Sequence, residues 1–298
     1  MTALDFSNKF DVLYNNITSN QAPGLDEFEK STFLTKAQDE IIKNYFLKQS
    51  NPKQAGFDDN QKRQADFANI MGTKNVTSDF DDPKYVFQDN SKSYSIGEGV
   101  FLIVNERIKV TRAGSNTFLT VKPISYEEFD RLTQKPYKYP THYQAWRLMV
   151  EDNKTVDLVV GPTDTITEYH VRYIKTPHPI IVGPITPLKI NGWEYLEANS
   201  EDVTDFSTTP TYSVGAFVKK DGKIYKCTAT HTGAWNGDHF TLVINDLSKV
   251  VYADAPCELD EILHEEILQR AVELAKVAWT ANGQDNAQLV IQTGARSE

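Results

Sequence analysis

Two cysteines in 298 residues, Cys227 and Cys257, are too few for a disulfide framework. One bridge is the most they could make, and a reducing compartment favours free thiols. Long apolar runs are missing too: none approaches the roughly 18 to 20 residues of a membrane-spanning helix. The opening residues, MTALDFSNKFDVLYNN, hold no basic stretch followed by an apolar core. No secretory signal is therefore expected, and the chain is expected to stay in the cytoplasm of the cell that makes it. Positive charge is scarce, with 31 Lys+Arg against 41 Asp+Glu and a formal net charge of −10. Phosphate contacts need lysine and arginine, so this balance argues against a protein that wraps nucleic acid. It is compatible with a wall past which DNA slides.

Catalytic and metal-binding patterns are also scarce. The chain has no Gly-x-Ser-x-Gly and no His-Glu-x-x-His. His264-Glu265-Glu266 lacks the second histidine and is expected to be solvated on a helix surface. Gly97-Glu98-Gly99 leads into a strand, without the Lys-Ser/Thr of a phosphate cradle, and predicts a turn. Asp79, Asp81 and Asp82 lack the glycine and closing glutamate of a calcium loop, so a solvated loop is expected. Cys227, His231 and His239 form the most metal-like set, but no fourth ligand lies nearby and the stretch explains itself as a hairpin. No enzyme, no metal and no cofactor is the expectation.

What is present is a change of period along the chain. From about Leu25 to Lys48, Phe33, Ala37, Ile41 and Tyr45 recur every four residues, with Leu34, Ile42 and Phe46 alongside. That predicts a long helix broad enough to pack on both a neighbouring helix and a sheet. A shorter helix is expected over Phe6 to Ile17, and another near Asp59 to Met71. Between about Tyr85 and Val182 the period becomes two. Val100, Leu102 and Val104 alternate, and Trp146, Leu148 and Val150 are answered by Val156, Leu158 and Val160 across Glu151 to Lys154. The pair predicts a hairpin. A short helix is expected near Tyr126 to Leu132. The stretch from Ile185 to Asp246 is short-stranded and turn-rich, with Asp221-Gly222 as a hairpin signal and Tyr212, Phe217, Tyr225, Trp235 and Phe240 to supply its core. A last amphipathic helix is expected from Pro256 to Ala281 on Leu259, Leu263, Ile267, Ala271, Leu274 and Ala278. The polar tail from Gln284 to Glu298 has one apolar anchor, Leu289, Val290 and Ile291, suited to adding a strand to a neighbour's sheet edge.

The fold class expected is α+β: long N- and C-terminal helices packed with an antiparallel β-sheet or sandwich, plus a small inserted all-β module. The divisions expected are 1–184, a helical and β core; 185–246, the small module; and 247–298, a helix and tail that complete the core.

Several stretches resemble a known family: NNITSNQAPGLDEFEKSTFLTKAQDEIIKNYF, VKPISYEEFDRL, AWRLMV, EYHVRYIKTPHPI and PCELDEILHEEILQRAVELAK. They are similar to head-to-tail connector subunits of crAss-like short-tailed phages. The resemblance implies a structural virion protein in the neck or tail, forming a homo-oligomeric ring, twelve-fold as in related adaptors. Portal protein and other neck or tail rings would be its partners. Genomic DNA would pass through without sequence-specific binding, and no membrane is involved. A narrower resemblance covers Tyr212-Ser213-Val214-Gly215, Gly222 to Lys226, His231-Thr232-Gly233 and Trp235, which look like the small carbohydrate-binding modules of chitinases. It implies Trp235 and Tyr225 as contacts for a sugar or a partner. The alternative reading is therefore a sugar-binding surface or tail-associated protein.

Overall fold

The computed structural model describes residues 1–17, 24–46, 65–76, 90–135, 140–150 and 155–279. Among them are the helices α1 (Ala3–Ile17), α2 (Glu27–Phe46), α3 (Tyr126–Thr133) and α4 (Glu261–Trp279). The strands are β1 (Met71–Val76), β2 (Ser91–Ser95), β3 (Val100–Arg112), β4 (Ser115–Pro123), β5 (Gln144–Met149), β6 (Thr155–Val159) and β7 (Thr165–Lys175). They continue with β8 (Glu194–Leu196), β9 (Val203–Asp205), β10 (Phe217–Lys220), β11 (Lys223–Cys227), β12 (Phe240–Ile244) and β13 (Val250–Tyr252). The chain divides into two units, Met1–Asn69 with Pro177–Glu298, and Ile70–Thr176.

The first unit is started by helix caps. Thr2 Oγ1 accepts from the Asp5 amide while Asp5 accepts from the Thr2 amide. Asp26 and Glu29 exchange the same two bonds at the start of α2. Each is a capping box, which satisfies amides that have no partner within the helix. At α4 the cap is Asp260, whose Oδ1 accepts from the Ile262 amide at 3.0 Å. This moves the helix start from the expected Pro256 to Glu261, because a side-chain acceptor ends the run of orphan amides where proline only tolerates it. The buried apolar stripe of α4 is Leu263, Ile267, Leu268, Ala271, Val272 and Ala275, with Leu259 buried just before it; Leu274 is half-buried and Ala278 exposed.

α2 packs on α4 and, through Phe28, against the cluster that holds Val251 of β13 and Tyr195 of β8. Beside its apolar residues Leu34, Ala37, Ile41 and Ile42 runs a buried polar row of Ser31, Thr35 and Gln38. Ser31 Oγ accepts from the Val182 amide, Thr35 Oγ1 from the Ile180 amide, and Gln38 Nε2 donates to the His178 carbonyl. An extended segment thus lies along the helix with its backbone satisfied by side chains. Lys30, also buried, donates to Ser7 and to Asp11 of α1 at 3.1 and 2.8 Å. His264, expected on the surface, is 3% exposed. Its ring lies 5.2 Å from Phe6 and its Nε2 is 3.0 Å from the Leu259 carbonyl, to which it donates. Burial lowers its pKa, so the neutral ring is the favoured form there.

The unit also holds a parallel pair, β8 with β13, and a four-stranded sheet in the order β12-β11-β10-β9. The β10–β11 turn has positive φ at both Asp221 (52°) and Gly222 (73°), as a two-residue primed hairpin requires. The sheet has a core on each face. Tyr212, Val218, Cys227 and Phe240 form one, with Phe206, Tyr225 and Trp235 packed on it. The other is largely aliphatic, Leu196, Val203, Ile224, Ile244 and Val250, and it is there that Phe217 packs. The aromatics therefore supply one core, not most of the interior.

The second unit is a seven-stranded sheet in the order β1-β7-β3-β4-β5-β6-β2. It is not purely antiparallel: β4 and β5 run parallel, joined through α3. A parallel pair needs a crossover, and Ser125, accepting from the Glu128 amide, starts the helix that provides it. The sheet curls, so that Tyr94 on the end strand β2 lies 5.6 Å from Tyr169 on β7. The β5–β6 hairpin forms, but its register departs from the expected answering of like positions. Trp146 opposes Val159 and shares a cluster with Leu148, Ile124 and Phe129, whereas Val156, Leu158 and Val160 line the opposite face. β6 is buried on both faces, and alternation cannot assign the faces of such a strand. In β3 two of the three register shifts, between Val100 and Leu102 and between Ile103 and Asn105, break the alternation; Val100 and Ile103 pack on the core in place of Leu102 and Val104. β1 begins at Met71, where a helix was expected to end; only the described part from 65 onward can be compared.

Inside this unit Glu106 is buried beside Arg147, at 3.3 Å, and accepts from the Tyr169 hydroxyl. Burial raises the Glu106 pKa, while Arg147 and Tyr169 oppose that rise. Arg112 forks onto Asp164, Nε to Oδ1 at 2.6 Å and Nη2 to Oδ2 at 2.5 Å. That fork holds the Asp164 carboxyl below the usual aspartate value. A depressed carboxylate stabilises the fold fully above its unfolded pKa and loses that contribution as pH falls through the folded one. Asp164→Asn should therefore be less stable than the parent protein at neutral pH, with the difference shrinking once pH falls below about 4. Urea unfolding of both proteins across pH 2.5 to 7 measures it; a difference that persists unchanged at the acid end would contradict the assignment.

Candidate functional site

The sequence-predicted binding pair, Trp235 and Tyr225, comes together on one face of the four-stranded sheet. Their rings are 4.9 Å apart at 70°, edge to face. Neither ring is free of the protein's own packing. Trp235 stacks on Phe240 at 4.4 Å and 10°, meets Phe206 edge-on at 5.0 Å, and has the Lys220 ammonium 5.0 Å over its ring. Phe206, which sequence reasoning missed, is the hub: it also stacks on Tyr212 at 5.6 Å. It lies just beyond β9, in a stretch without alternation, and no periodic signal marks it.

Cys227, His231 and His239 are neighbours without facing a common point. The Cys227 thiol donates to the Ala229 carbonyl at 3.0 Å, while His231 Nδ1 and His239 Nδ1 lie 3.2 Å apart. One of those nitrogens must carry a proton and the other accept it. His231 Nε2 is buried without a hydrogen-bond partner, and a bare nitrogen is less costly there than an unpaired N–H, which puts the shared proton on His231 Nδ1. Among the described residues no three His, Cys, Asp or Glu side chains converge as metal ligands. No described helix is long and apolar enough to cross a membrane. The tail anchor, Leu289, Val290 and Ile291, and the acidic set Asp79, Asp81 and Asp82 lie outside the described residues.

Among the described residues the geometry offers packed aromatic surface and exposed helix faces. The comparisons with known proteins supply the family. The profile of the family described as phage tail ring protein 3/4 matches residues 1–201. "Ring protein 4/5" of Bacteroides phage crAss001 is 38% identical over 300 residues, which span 100% of both chains. The chain belongs to the phage tail ring protein 3/4 family. "Ring protein 3" of the same phage is 27% identical over 197 residues, covering 64% of this chain and 84% of that protein. This ring-family chain is thus a structural phage protein. The family match ends at residue 201, two residues before β9 opens the four-stranded sheet.

If Trp235 serves packing in this ring-family chain, Trp235→Ala should destabilise it by roughly 3 kcal/mol, the low end for truncating a packed aromatic. Chitin oligomers should bind weakly or not at all to the parent protein. Chemical denaturation and titration calorimetry check the two halves; micromolar chitin binding abolished by a Trp235→Ala variant of unchanged stability would reverse the assignment.

Proposed function

We propose that the chain forms a closed ring in the head-to-tail connector, beneath the portal and around the channel through which the genome leaves. The supporting observation is full-length similarity to a ring protein at 38% identity, with no part of either chain left over. Ring formation by a single kind of subunit needs two different, complementary faces, because only a heterologous contact propagates around an axis. A twelve-fold ring is the stoichiometry proposed, with the portal and other neck or tail rings as partners. The acidic balance, net −10, suits a wall that does not hold the DNA it surrounds.

The proposal extends to organisation. The helices from both ends of the chain form the common core of the subunit, and the segment 185–246 is a small module added to it. Its support is that the family match stops beside β9, and that the four-stranded sheet has aromatic packing of its own. The packing of Trp235 and Tyr225 against Phe240 and Phe206 favours a contact-making role for the module over a sugar site. The tail anchor Leu289, Val290 and Ile291 is assigned to a neighbouring subunit or the portal.

Two measurements test this. Multi-angle light scattering of the purified protein should show species of many subunits; a monomer or a two-fold dimer at every concentration would contradict the ring. Truncation after Asn282 should leave the subunit's melting temperature nearly unchanged and reduce incorporation into particles. Normal incorporation would remove the tail from assembly.

A further inference from the structure

Three of the exposed apolar side chains of the helical unit lie on α1 and α4. Leu4 and Val12 on α1 are 68% and 58% exposed, and Ile262 on α4 is 68% exposed. Leu4, Asn8 and Val12 follow one another at four-residue spacing, so they share a helix face. Beside Val12 lies an apolar groove of about 260 Å³, lined by Asn8, Lys9, Val12, Leu13, Glu265 and Leu268. Lys9 and Glu265 close one side as an ion pair at 2.5 Å, and beyond it the exposed Glu261 pairs with the N-terminal ammonium of Met1 at 3.5 Å. The unit as a whole is acidic. Acidic and basic residues balance between 70 and 176, so the whole net charge of −10 belongs to the unit that carries this groove.

The sheet unit carries the second group. Phe118 is 59% exposed and Tyr143 80% exposed. Both flank Thr120: Phe118 precedes it by two residues on the same face of β4, and the Tyr143 carbonyl accepts from both the amide and the hydroxyl of Thr120. Bases surround them. Arg107 pairs with Thr120, Lys109 pairs with Phe118, and the His170 ring lies 5.8 Å from Phe118. Glu168 lies beside them, engaged by Lys109 at 2.8 Å.

We propose that the α1–α4 groove of one copy receives the Phe118–Tyr143 patch of the next copy. The two surfaces match in kind: an apolar cleft on an acidic unit, and exposed aromatics beside Arg107 and Lys109. Neither matches itself, since groove against groove would set two acidic units together. The contact is therefore heterologous and propagates from copy to copy, as ring closure demands. It rests on the ring reading and names the surfaces that reading leaves open.

Cysteine pairing tests the contact. Val12→Cys and Tyr143→Cys are made separately. The native thiols interfere little: Cys227 is buried and bonded to a carbonyl, and burial pushes the Cys257 thiol up to about 12. Under mild oxidation of assembled protein, the mixture should give at least tenfold more disulfide-linked dimer than either variant alone, because the contact brings unlike positions together. Assembly with no excess of mixed dimer would overturn this contact and leave the ring reading standing; absence of any assembly would overturn both. As a second arm, the double variant Phe118→Ala, Tyr143→Ala should keep its melting temperature, both side chains being exposed, and assemble at least tenfold less well. Assembly at the parent level would overturn the proposal.

Discussion

The row of Ser31, Thr35 and Gln38 on α2 is the interaction on which the helical unit depends. A helix from the start of the chain would ordinarily bury only apolar residues there. These three polar side chains instead complete the backbone hydrogen bonds of His178, Ile180 and Val182, a segment that belongs to no described strand. Without them, amides and a carbonyl of a buried segment would lack partners, each at a cost of about 1 to 3 kcal/mol. The same segment reaches the residues that lead into α4, since Glu258 accepts from the His178 amide. Residues from the beginning, middle and end of the chain thereby become one cooperative body. Lys30 and the Arg270–Glu40 pair, 2.8 Å, add charged links between helices of that body.

The sheet unit is organised by a different constraint, a charge that must be paired inside a curled sheet. Glu106 lies among Ile108, Val110, Leu158 and Val171, where an unpaired carboxylate could not remain ionised. Arg147 and the Tyr169 hydroxyl answer it from β5 and β7. Such a pair contributes less to net stability than to register, because a slip of one residue would turn either partner away. That suits a subunit whose outer surface must repeat faithfully from copy to copy.

Local chemistry was legible in the sequence, and long-range pairing was not. The capping box of α2 is written in Asp26 and Glu29, the cap of α3 in Ser125 and Glu128, and the Asp221-Gly222 turn in its own two residues. The Ala113-Gly114 turn between β3 and β4 passed unseen because alanine seldom adopts positive φ. β1, with the sequence MGTKNV, carries almost no alternation; it is a strand because β7 offers it a partner. His264 looked solvated among its acidic neighbours because nothing local records that α1 folds across it. In the candidate site, the closeness of Trp235 to Tyr225 could be anticipated, and the hub Phe206 could not. The α1–α4 groove was invisible for a plainer reason: its two walls come from opposite ends of the chain.

A protein with well-capped helices and a buried charge pair, similar over its full length to a ring protein, fits a part whose work is done by its surfaces. The central claim is that many copies close around the path of the genome. A cryo-EM reconstruction of the virion neck tests it most directly. The account predicts a closed ring of rotationally related copies of this chain, coaxial with the portal and surrounding the DNA channel. Density for this chain as isolated copies on the outside of the tail, away from that axis, would contradict it.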